Sequence, residues 1–527
     1  MKTKSIHSFY LLKAIDEYSM NGDTYLSEEE LYHIAKNIRR SLSYYEFRED
    51  LAEQIRLGNI HREGRRVYRT RTWRYEVAVA KVLSELLRNN QLSESAYGPF
   101  DLTDDSCENS VVSYGSTKFS LTDEQKSAVK MGLTHRLSII LGSAGSGKTT
   151  LIPELAVGAQ NGFVLCAPTG KAAANLWERT GLPARTVHSA LGRSPEDDFL
   201  SPVEWRYTDV VVVDESSMLT LEMLAGILTA VSAFCRVILV GDPNQLQSVG
   251  AGNILQDLIA LGIPYTQLKM IHRQADEQSA LAKNIQNFSQ CHRLEDLSFD
   301  DSFRFVPLAL EKDIQQCVCE GAAALYQAGM NLQVLSPYNK SGELSVAKLN
   351  AIIRNLVNPA SNDNTLDNVR FRNGDRVMIL ENDWSQLVFN GDIGQFGMHE
   401  EDDGNNFIFW VACSRGRTAG WLGRQELSRL QLGYAITVHK AQGSEYDAVI
   451  LPITKGFSRL LYRNLIYTAI SRAKKNVVLV GEADAINIAL QQKAPARKSM
   501  EAPLPAGTAP ALCCIMGFAH YTILFLI

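Results

Sequence analysis

The first half of the chain alternates short apolar runs with longer amphipathic segments. The apolar runs are rich in Val, Ile and Leu, which suits strands that are buried on both faces of a sheet. They predict strands at residues 137–141, 163–167, 209–213 and 236–240. Because helical segments separate these strands, we expect a parallel sheet with crossover helices, and therefore an α/β domain over residues 119–280.

The same alternation returns further along the chain. Apolar runs at residues 332–335, 448–452 and 476–480 predict a second α/β domain over residues 281–486. Residues 371–430 interrupt this pattern, because they are rich in Gly, Asn and Asp and contain two Asn-Gly-Asp turn signals. We interpret them as a small β-barrel inserted in the second α/β domain.

The N-terminal region, residues 1–118, is polar and has helical periodicity. Ser27, followed three residues later by Glu30, has the signature of a helix start. A second helix is predicted over residues 44–57, and glycines that follow it bracket short strands. This order resembles a winged helix, and the Asp- and Ser-rich residues 101–118 are interpreted as a linker.

The C-terminal region, residues 487–527, combines an Ala- and Pro-rich linker with an apolar tail over residues 511–527. A tail of about 17 residues is shorter than the ~20 that a membrane-spanning helix needs. A tail anchor, a peptide docked on the body of the protein, and a sequence altered by frameshift or truncation all fit it. We do not expect membrane association unless this tail anchors the protein.

Composition places limits on the partners. A chain of 527 residues is too long for one ordinary core, and a formal net charge of −5 excludes a uniformly basic nucleic-acid coat. The basic residues 61–74 fit a solvated β-ribbon and a phosphate-contacting wing equally well. The nine Cys include no CxxC pair, and no secretory signal opens the chain, so we expect a cytoplasmic protein with reduced thiols.

A glycine-rich segment follows the first predicted strand and matches the phosphate-binding pattern GxxxxGK[ST]. Its glycines allow the backbone N–H groups to point at phosphate oxygens. Lys148 supplies a positive charge for the β- and γ-phosphates, and the Thr149 hydroxyl can ligate Mg²⁺. The predicted nucleotide-binding loop consists of Gly142, Ser143, Ala144, Gly145, Ser146, Gly147, Lys148, Thr149 and Thr150.

Two carboxylates follow the third predicted strand. Acidic groups at the carboxyl end of a buried parallel strand lie in the ligand crevice of an open α/β sheet. We expect Asp214 on the Mg²⁺ side of the site and Glu215 beside the attacking water, which it orients or deprotonates. Together with the glycine-rich loop, this pair predicts nucleotide hydrolysis.

Further polar residues suit the same chemistry. Gln245 follows the fourth predicted strand, where an amide can sense a γ-phosphate. Arg472 lies in the second α/β domain and is suited to stabilise charge on a transferring phosphoryl group.

Ten ordered motifs carry a resemblance to a known family. Residues 119–486, about 70% of the chain, resemble a superfamily 1 helicase of the RecD-like and TraI-type 5′→3′ branch. The motifs are LTDEQ (121–125), GSAGSGKT (142–149), APTGKAA (167–173), TVHSAL (186–191), DESSM (214–218), GDPNQLQSVG (241–250), HRQ (272–274), VLSPYNK (334–340), ITVHKAQGSEYD (436–447) and YTAISRAK (467–474).

The resemblance implies two RecA-like motor domains and a role for each motif residue. ATP and Mg²⁺ are the implied cofactors. Gln125 would read the adenine, Glu445 would lie near the ribose, and Gln245 and Arg273 would contact the γ-phosphate. Arg472 would reach the same phosphate from the second motor domain. The implied path for single-stranded nucleic acid includes Gly170, Lys171, Thr186, His188, Thr437 and His439, with a structural role left open for the two histidines.

Residues 192–208 resemble the pin-bearing insertion of this family. Phe199, Trp205 and Tyr207 either present a stacking edge at a fork or pack the insertion itself. The N-terminal region is too short for the relaxase domain of TraI-type proteins, so we do not expect DNA nicking.

The resemblance implies an ATP-dependent DNA helicase that moves 5′→3′ on single strands and unwinds duplexes. Its expected partners are single-stranded DNA, DNA forks and a recruiting protein bound through the N-terminal domain. Repair, recombination, and plasmid or phage DNA metabolism are the processes that this activity suits. An RNA helicase or remodeller of the same superfamily and an ATP-gated nucleic-acid sensor remain as alternatives.

Overall fold

The structure is a computed structural model. It describes residues 9–92, 111–114, 117–159, 161–194, 197–201, 205, 207–269, 278–366, 369–383, 385–400, 407–413, 418–422, 425–458 and 460–499. The predictions for Arg273 and for the apolar tail at 511–527 lie outside the described residues.

Residues 9–92 of the N-terminal region contain four helices and a small antiparallel sheet. The Ser27 hydroxyl accepts a hydrogen bond from the Glu30 N–H, and the Glu30 side chain accepts one from the Ser27 N–H, so the predicted capping box is confirmed. The sheet has the strand order β1-β3-β2. The elements are α1 (Phe9–Ser19), β1 (Leu26–Ser27), α2 (Glu28–Ile38), α3 (Tyr44–Arg56), β2 (Ile60–Glu63), β3 (Arg66–Arg69) and α4 (Thr70–Leu86).

The segment expected to be a linker includes a hairpin. Strands β4 (Val111–Tyr114) and β5 (Thr117–Ser120) pair antiparallel. Val111, Val112 and Tyr114 on β4 and Thr117 and Phe119 on β5 are β-branched or aromatic residues, which favour strands.

The first α/β domain is built on a six-stranded parallel sheet of order β11-β6-β10-β9-β7-β8. Its four inner strands are the predicted ones, and all four valines of β9 are fully buried. The two edge strands, β8 and β11, are too short to show a clear pattern. The elements are α5 (Asp123–Thr134), β6 (Leu137–Gly142), α6 (Ile152–Val157), β7 (Phe163–Ala167), α7 (Gly170–Thr180), β8 (Ala184–Thr186), α8 (Val187–Ala190), β9 (Val210–Val213), α9 (Leu221–Ala230), β10 (Arg236–Gly241), α10 (Ile254–Ala260) and β11 (Tyr265–Leu268).

The second α/β domain has a five-stranded parallel sheet of order β12-β21-β20-β13-β19. The three predicted strands are β13, β20 and β21. The elements outside the insertion are α11 (Ala280–Asn287), β12 (Phe303–Pro307), α12 (Glu311–Gln327), β13 (Leu332–Ser336), α13 (Val346–Val357), β19 (Ala435–Thr437), β20 (Tyr446–Ile453), α14 (Arg463–Ile470), β21 (Ala473–Gly481) and α15 (Ala483–Gln491). Both domains are therefore of the mixed α/β type with parallel sheets.

An antiparallel sheet interrupts the second α/β domain where the Gly- and Asn-rich segment was predicted to form a small β-barrel. The strand order is β17-β16-β15-β14-β18. Its core contains Phe371, Phe396 and Phe409. The strands are β14 (Arg376–Ile379), β15 (Ile393–Glu400), β16 (Phe407–Cys413), β17 (Thr418–Leu422) and β18 (Leu430–Leu432).

The start of the expected C-terminal linker is docked on the rest of the protein. The Arg497 guanidinium donates to the carbonyl oxygens of Ser248, at 2.6 Å, and Gly252, at 2.7 Å. Lys498 Nζ lies 2.6 and 2.7 Å from the two carboxylate oxygens of Glu30. The linker prediction is therefore wrong for residues 497–499, because their partners lie on two distant parts of the chain.

No helix in the described part of the chain is both long enough and apolar enough to cross a lipid bilayer.

Candidate nucleotide site

The glycine-rich loop after β6 has the backbone that its sequence predicts. Gly145 and Gly147 have φ values of 86° and 79°, a left-handed conformation that side chains with a Cβ rarely adopt. A Cβ at Gly142 would lie 2.2 Å from Ser146 Oγ, so that position has no room for a side chain. Lys148 Nζ donates to the carbonyl oxygens of Gly142 and Ser143, at 2.6 and 2.8 Å.

A short 3-10 turn separates this loop from the helix that follows it. Residues Lys148–Leu151 form a 3-10 turn, and α6 starts at Ile152 with Pro153 in its first turn. Because proline lacks an N–H, it is accommodated in a first helical turn, where that group has no partner within the helix.

The two carboxylates after β9 lie at the carboxyl end of the sheet, as expected. Burial raises the pKa of Asp214 to about 6, the neighbouring Glu215 carboxylate adds to the increase, and Lys148 opposes it. Glu215 has a φ of 53°, which is uncommon outside glycine. Since such strain concentrates at functional sites, it favours a functional role for this pair.

The second α/β domain contributes Arg472. This side chain is 4% exposed and follows α14. Its guanidinium donates to the carbonyl of Thr468 at 3.3 Å and to the hydroxyl of Ser471 at 3.2 Å. Within the described part of the chain, no carboxylate forms an ion pair with it. A buried cation held only by neutral oxygens is suited to receive an anionic ligand.

A cavity of about 850 Å³ lies between the two α/β domains and brings these groups together. From the predicted set it is lined by Gln125, Ala144, Gly145, Gly147, Lys148, Thr149, Thr150, Asp214, Glu215, Gln245, Glu445 and Arg472. Gly142, Ser143 and Ser146 belong to the glycine-rich loop but do not line the cavity. The Gln125 side chain also accepts a hydrogen bond from the Thr122 N–H at 3.0 Å, which caps α5.

Several lining residues were not predicted. Arg179, on α7 of the first domain, forms an ion pair with Glu445 of the second. Lys474 Nζ lies 3.4 Å from the other Glu445 oxygen, and the Asn175 amide donates to the Gly443 carbonyl. Asn175 and Arg179 are four residues apart on α7, so they face the same side of that helix. This spacing is the signal that sequence reasoning could have used.

The donor set of this cavity fits a nucleoside triphosphate and Mg²⁺. Thr149 and Asp214 offer the hydroxyl and carboxylate oxygens that Mg²⁺ prefers. Gln245 is 4% exposed, and its buried side-chain oxygen has no hydrogen-bond partner among the residues that the structure describes. Burying such an atom is energetically unfavourable, so a ligand that donates a hydrogen bond to the Gln245 oxygen would stabilise the site.

The implied nucleic-acid residues lie mainly in contacts of the protein with itself. Lys171 Nζ donates to the Gly391 carbonyl of the insertion. A Cβ at Gly170 would lie 2.6 Å from Asn382 Oδ1, on the same part of the insertion. Thr186 caps α8 through the Ser189 N–H, and the Thr437 hydroxyl accepts from the Lys440 N–H at 3.3 Å.

The two histidines of this set are partly buried. Burial lowers the pKa of His188 and of His439. The His188 ring packs edge-on against Phe199, with 5.0 Å between ring centroids. That contact gives His188 a packing role in the first α/β domain.

The aromatic residues of the 192–208 insertion divide between the two interpretations. Phe199 is 2% exposed, and the Trp205 indole N–H donates to the Ala190 carbonyl at 3.3 Å, so both pack the insertion. Tyr207 is 83% exposed and is the one of the three that faces solvent.

The basic residues 61–74 are engaged in ion pairs at three positions. Arg62, Arg69 and Arg74 pair with carboxylates of Glu28, Asp16 and Asp198. The His61 ring stacks on Trp73 with a centroid separation of 3.8 Å. These contacts favour the β-ribbon over a phosphate-contacting wing for residues 61–69, whereas residues 70–74 belong to α4 and not to a ribbon.

Comparisons with known proteins match the same regions. A family model described as an AAA domain matches residues 120–302, and one described as a UvrD-like helicase C-terminal domain matches residues 432–480. The cleft between these regions, with its glycine-rich loop and its buried arginine, defines an ATP-hydrolysing superfamily 1 helicase.

Two relatives show to which family of superfamily 1 helicases the chain belongs. The RecBCD enzyme subunit RecD of Mycolicibacterium smegmatis is 30% identical over 419 residues, which is 71% of this chain and 73% of that protein. The ATP-dependent RecD2 DNA helicase of Deinococcus radiodurans is 33% identical over 396 residues, which is 72% of this chain but 52% of that protein. The chain therefore belongs to the RecD family of superfamily 1 DNA helicases.

A solved structure of Bacteroides Pif1 bound to ssDNA is also similar. It has 20% sequence identity and a TM-score of 0.42, and the match covers 68% of this chain and 92% of that chain.

Proposed function

We propose that this chain hydrolyses ATP in the cleft between its two α/β domains and uses the cycle to move 5′→3′ along single-stranded DNA, unwinding duplexes at forks. One observation supports the proposal above the others. Lys148 of the first domain and Arg472 of the second line one cavity, so one triphosphate can touch both. The 5′→3′ direction follows from membership of the family.

The predicted site residues then have separate roles in hydrolysis. Lys148 binds the β- and γ-phosphates, and Arg472 stabilises the charge that develops on the transferring phosphoryl group. Glu215 orients the attacking water and accepts its proton, while Gln245 and Arg273 contact the γ-phosphate. Gln125 contacts the adenine and Glu445 the ribose. Thr149 and Asp214 would hold Mg²⁺, which neutralises phosphate charge when bound.

Motion follows from the position of the site between the domains. Loss of the γ-phosphate removes the group that Gln245 and Arg472 share, so the two domains separate and later close again on fresh ATP. A strand held by its phosphates is moved by this cycle whatever its bases are. We place the strand across Lys171, Thr186, His188, Thr437 and His439, beside Gly170.

The finer architecture belongs to the same proposal. We infer a motor domain over residues 119–280 with a pin-like insertion at 192–208, and a second over 281–486 with a β-barrel at about 371–430. The N-terminal region, to residue 118, is a winged-helix-like domain that binds a recruiting protein. DNA repair or recombination in the cytoplasm is the process that suits such a motor.

A strand-displacement assay tests the proposal. Duplexes with a 5′ tail should be unwound with ATP, and matched duplexes with a 3′ tail should not. The Lys148→Ala variant, which lacks the phosphate-binding charge, is the negative control. Unwinding of 3′-tailed duplexes alone would contradict the polarity.

Two further measurements address the alternative functions. Stronger stimulation of ATP hydrolysis by RNA than by DNA in a competition experiment would favour an RNA helicase. Robust DNA-stimulated hydrolysis without unwinding of any tailed duplex would favour an ATP-gated sensor.

A further inference from the structure

The loop that carries Gln245 belongs to the first α/β domain, but side chains of the second domain form hydrogen bonds with it. The side-chain amide of Asn464, in the first turn of α14, donates to carbonyl oxygens of this loop. Its nitrogen lies 3.0 Å from the Asn244 oxygen and 3.1 Å from the Gln245 oxygen. A third carbonyl, that of Pro243, lies 3.5 Å away. Three successive carbonyls therefore converge on one amide group.

Neighbouring residues of the second domain fix both ends of the same loop. The Tyr467 hydroxyl donates to Asp242 Oδ2 at 2.6 Å, and the Leu246 N–H donates to the Thr468 hydroxyl at 2.7 Å. The Gln442 amide donates to the Leu246 carbonyl at 2.9 Å. Residues 242–246 are thus tied to the opposite domain along their whole length.

The same helix leads to the buried arginine. Helix α14 contains Asn464, Tyr467 and Thr468, and Arg472 lies two residues beyond its end. Arg472 also donates to the Thr468 carbonyl at 3.3 Å. Because one rigid helix contacts the Gln245 loop and anchors Arg472, a displacement of α14 moves both groups together.

We propose that Asn464 is a positioning residue that holds Gln245 in register with Arg472 across the cleft. Asn464 does not itself line the cavity, whereas Gln245 and Arg472 do. Asn464 affects hydrolysis only indirectly, through its hydrogen bonds with the loop that carries Gln245. This inference rests on the proposed ATP hydrolysis and identifies the contact that makes the two domains act as one site.

The test is a double-variant cycle on DNA-stimulated ATP hydrolysis. Asn464→Ala should lower kcat by about 10- to 100-fold, the size of effect expected when a reacting group is displaced by about 1 Å. The affinity for ATP should change little, since the side chain lies outside the cavity. Combined with Gln245→Ala, it should cost no more than about threefold beyond Gln245→Ala alone, because both changes disable the same group.

Two further variants separate positioning from packing. Asn464→Asp keeps the size of the side chain but removes both N–H donors, so it should lose activity as Asn464→Ala does. Gln256→Ala is the matched control, because this exposed side chain reaches the same Pro243 carbonyl, at 3.4 Å, from within the first domain. Its kcat should stay within about twofold of the parent.

The outcomes distinguish the two levels of the argument. If the parent protein shows no DNA-stimulated hydrolysis, the proposed function fails before Asn464 is tested. If the parent is active, either of two results overturns the positioning role. One is a double variant whose losses multiply, and the other is an Asn464→Asp variant with parent activity and an unchanged melting temperature.

Discussion

Replacing Glu76 by Gln should stabilise the protein at neutral and alkaline pH. Glu76 lies on α4, where it is 8% exposed. Burial raises the pKa of this carboxyl group from 4.5 to about 7, a hydrogen bond with Thr24 and the nearby Arg66 oppose the increase, and the Glu63 and Asp257 carboxylates add to it. The charged form is therefore disfavoured in the folded protein.

The sign and size of the effect follow from this shift. Between pH 4.5 and 7 the folded state retains a proton that the unfolded state has lost. The free energy of unfolding therefore falls as pH rises through that window. A pKa difference of about 2.5 corresponds to about 3 kcal/mol, the most that Glu76→Gln can recover above pH 7. Near pH 4.5 and below, the two proteins should be equally stable.

Denaturant unfolding at pH 4.5 and pH 8 measures the difference. The variant should have a higher midpoint at pH 8 and an unchanged slope of unfolding free energy against denaturant concentration. Glu49→Gln, on the exposed face of α3, is the matched control. The difference in unfolding free energy between pH 4.5 and pH 8 should be the same in this variant as in the parent. A Glu76→Gln protein that is less stable than the parent at pH 8 would refute the reasoning, because it would mean that the charged carboxylate is favoured by its partners.

Two further predictions concern contacts between distant parts of the chain. Arg497→Ala should lower the free energy of unfolding by about 2 kcal/mol, because the carbonyls of Ser248 and Gly252 lose a charged donor. Lys493 is exposed, so Lys493→Ala should have little effect in the same denaturation experiment. Tyr467→Phe should lower the free energy of unfolding by about 1–3 kcal/mol, because the buried Asp242 carboxylate loses the hydrogen bond from the Tyr467 hydroxyl. A thermal melt with an unchanged midpoint would contradict this.

The inner strands of both α/β sheets could be predicted because each is a short apolar run buried on two faces. The valines of β9 and the six-residue β10 illustrate this. The edge strand β8 could not, because its three residues are polar and apolar in a pattern that many loops share. The docking of Arg497 also escaped prediction, since its carbonyl partners are identified only by the folded backbone.

The candidate site divides in the same way. The loop around Lys148 and the carboxylates after β9 are local patterns, so their sequence positions were enough to predict them. Arg179 and Asn464 owe their placement to the approach of the two domains. The spacing of Arg179 from Asn175 shows only that both face one side of α7, and no local pattern identifies their partners in the second domain. Groups that bridge a domain boundary are the part of a site that sequence periodicity does not reveal.

The central claim is that one triphosphate is bound by groups from both domains, with Arg472 acting on the transition state. Comparing ATP affinity and kcat in Arg472→Ala tests it most directly, with Lys312→Ala on the exposed face of α12 as the control. The account predicts that kcat falls by about 10³-fold or more while ATP affinity changes far less. Turnover at the parent rate would contradict it, as would equal losses in binding and turnover.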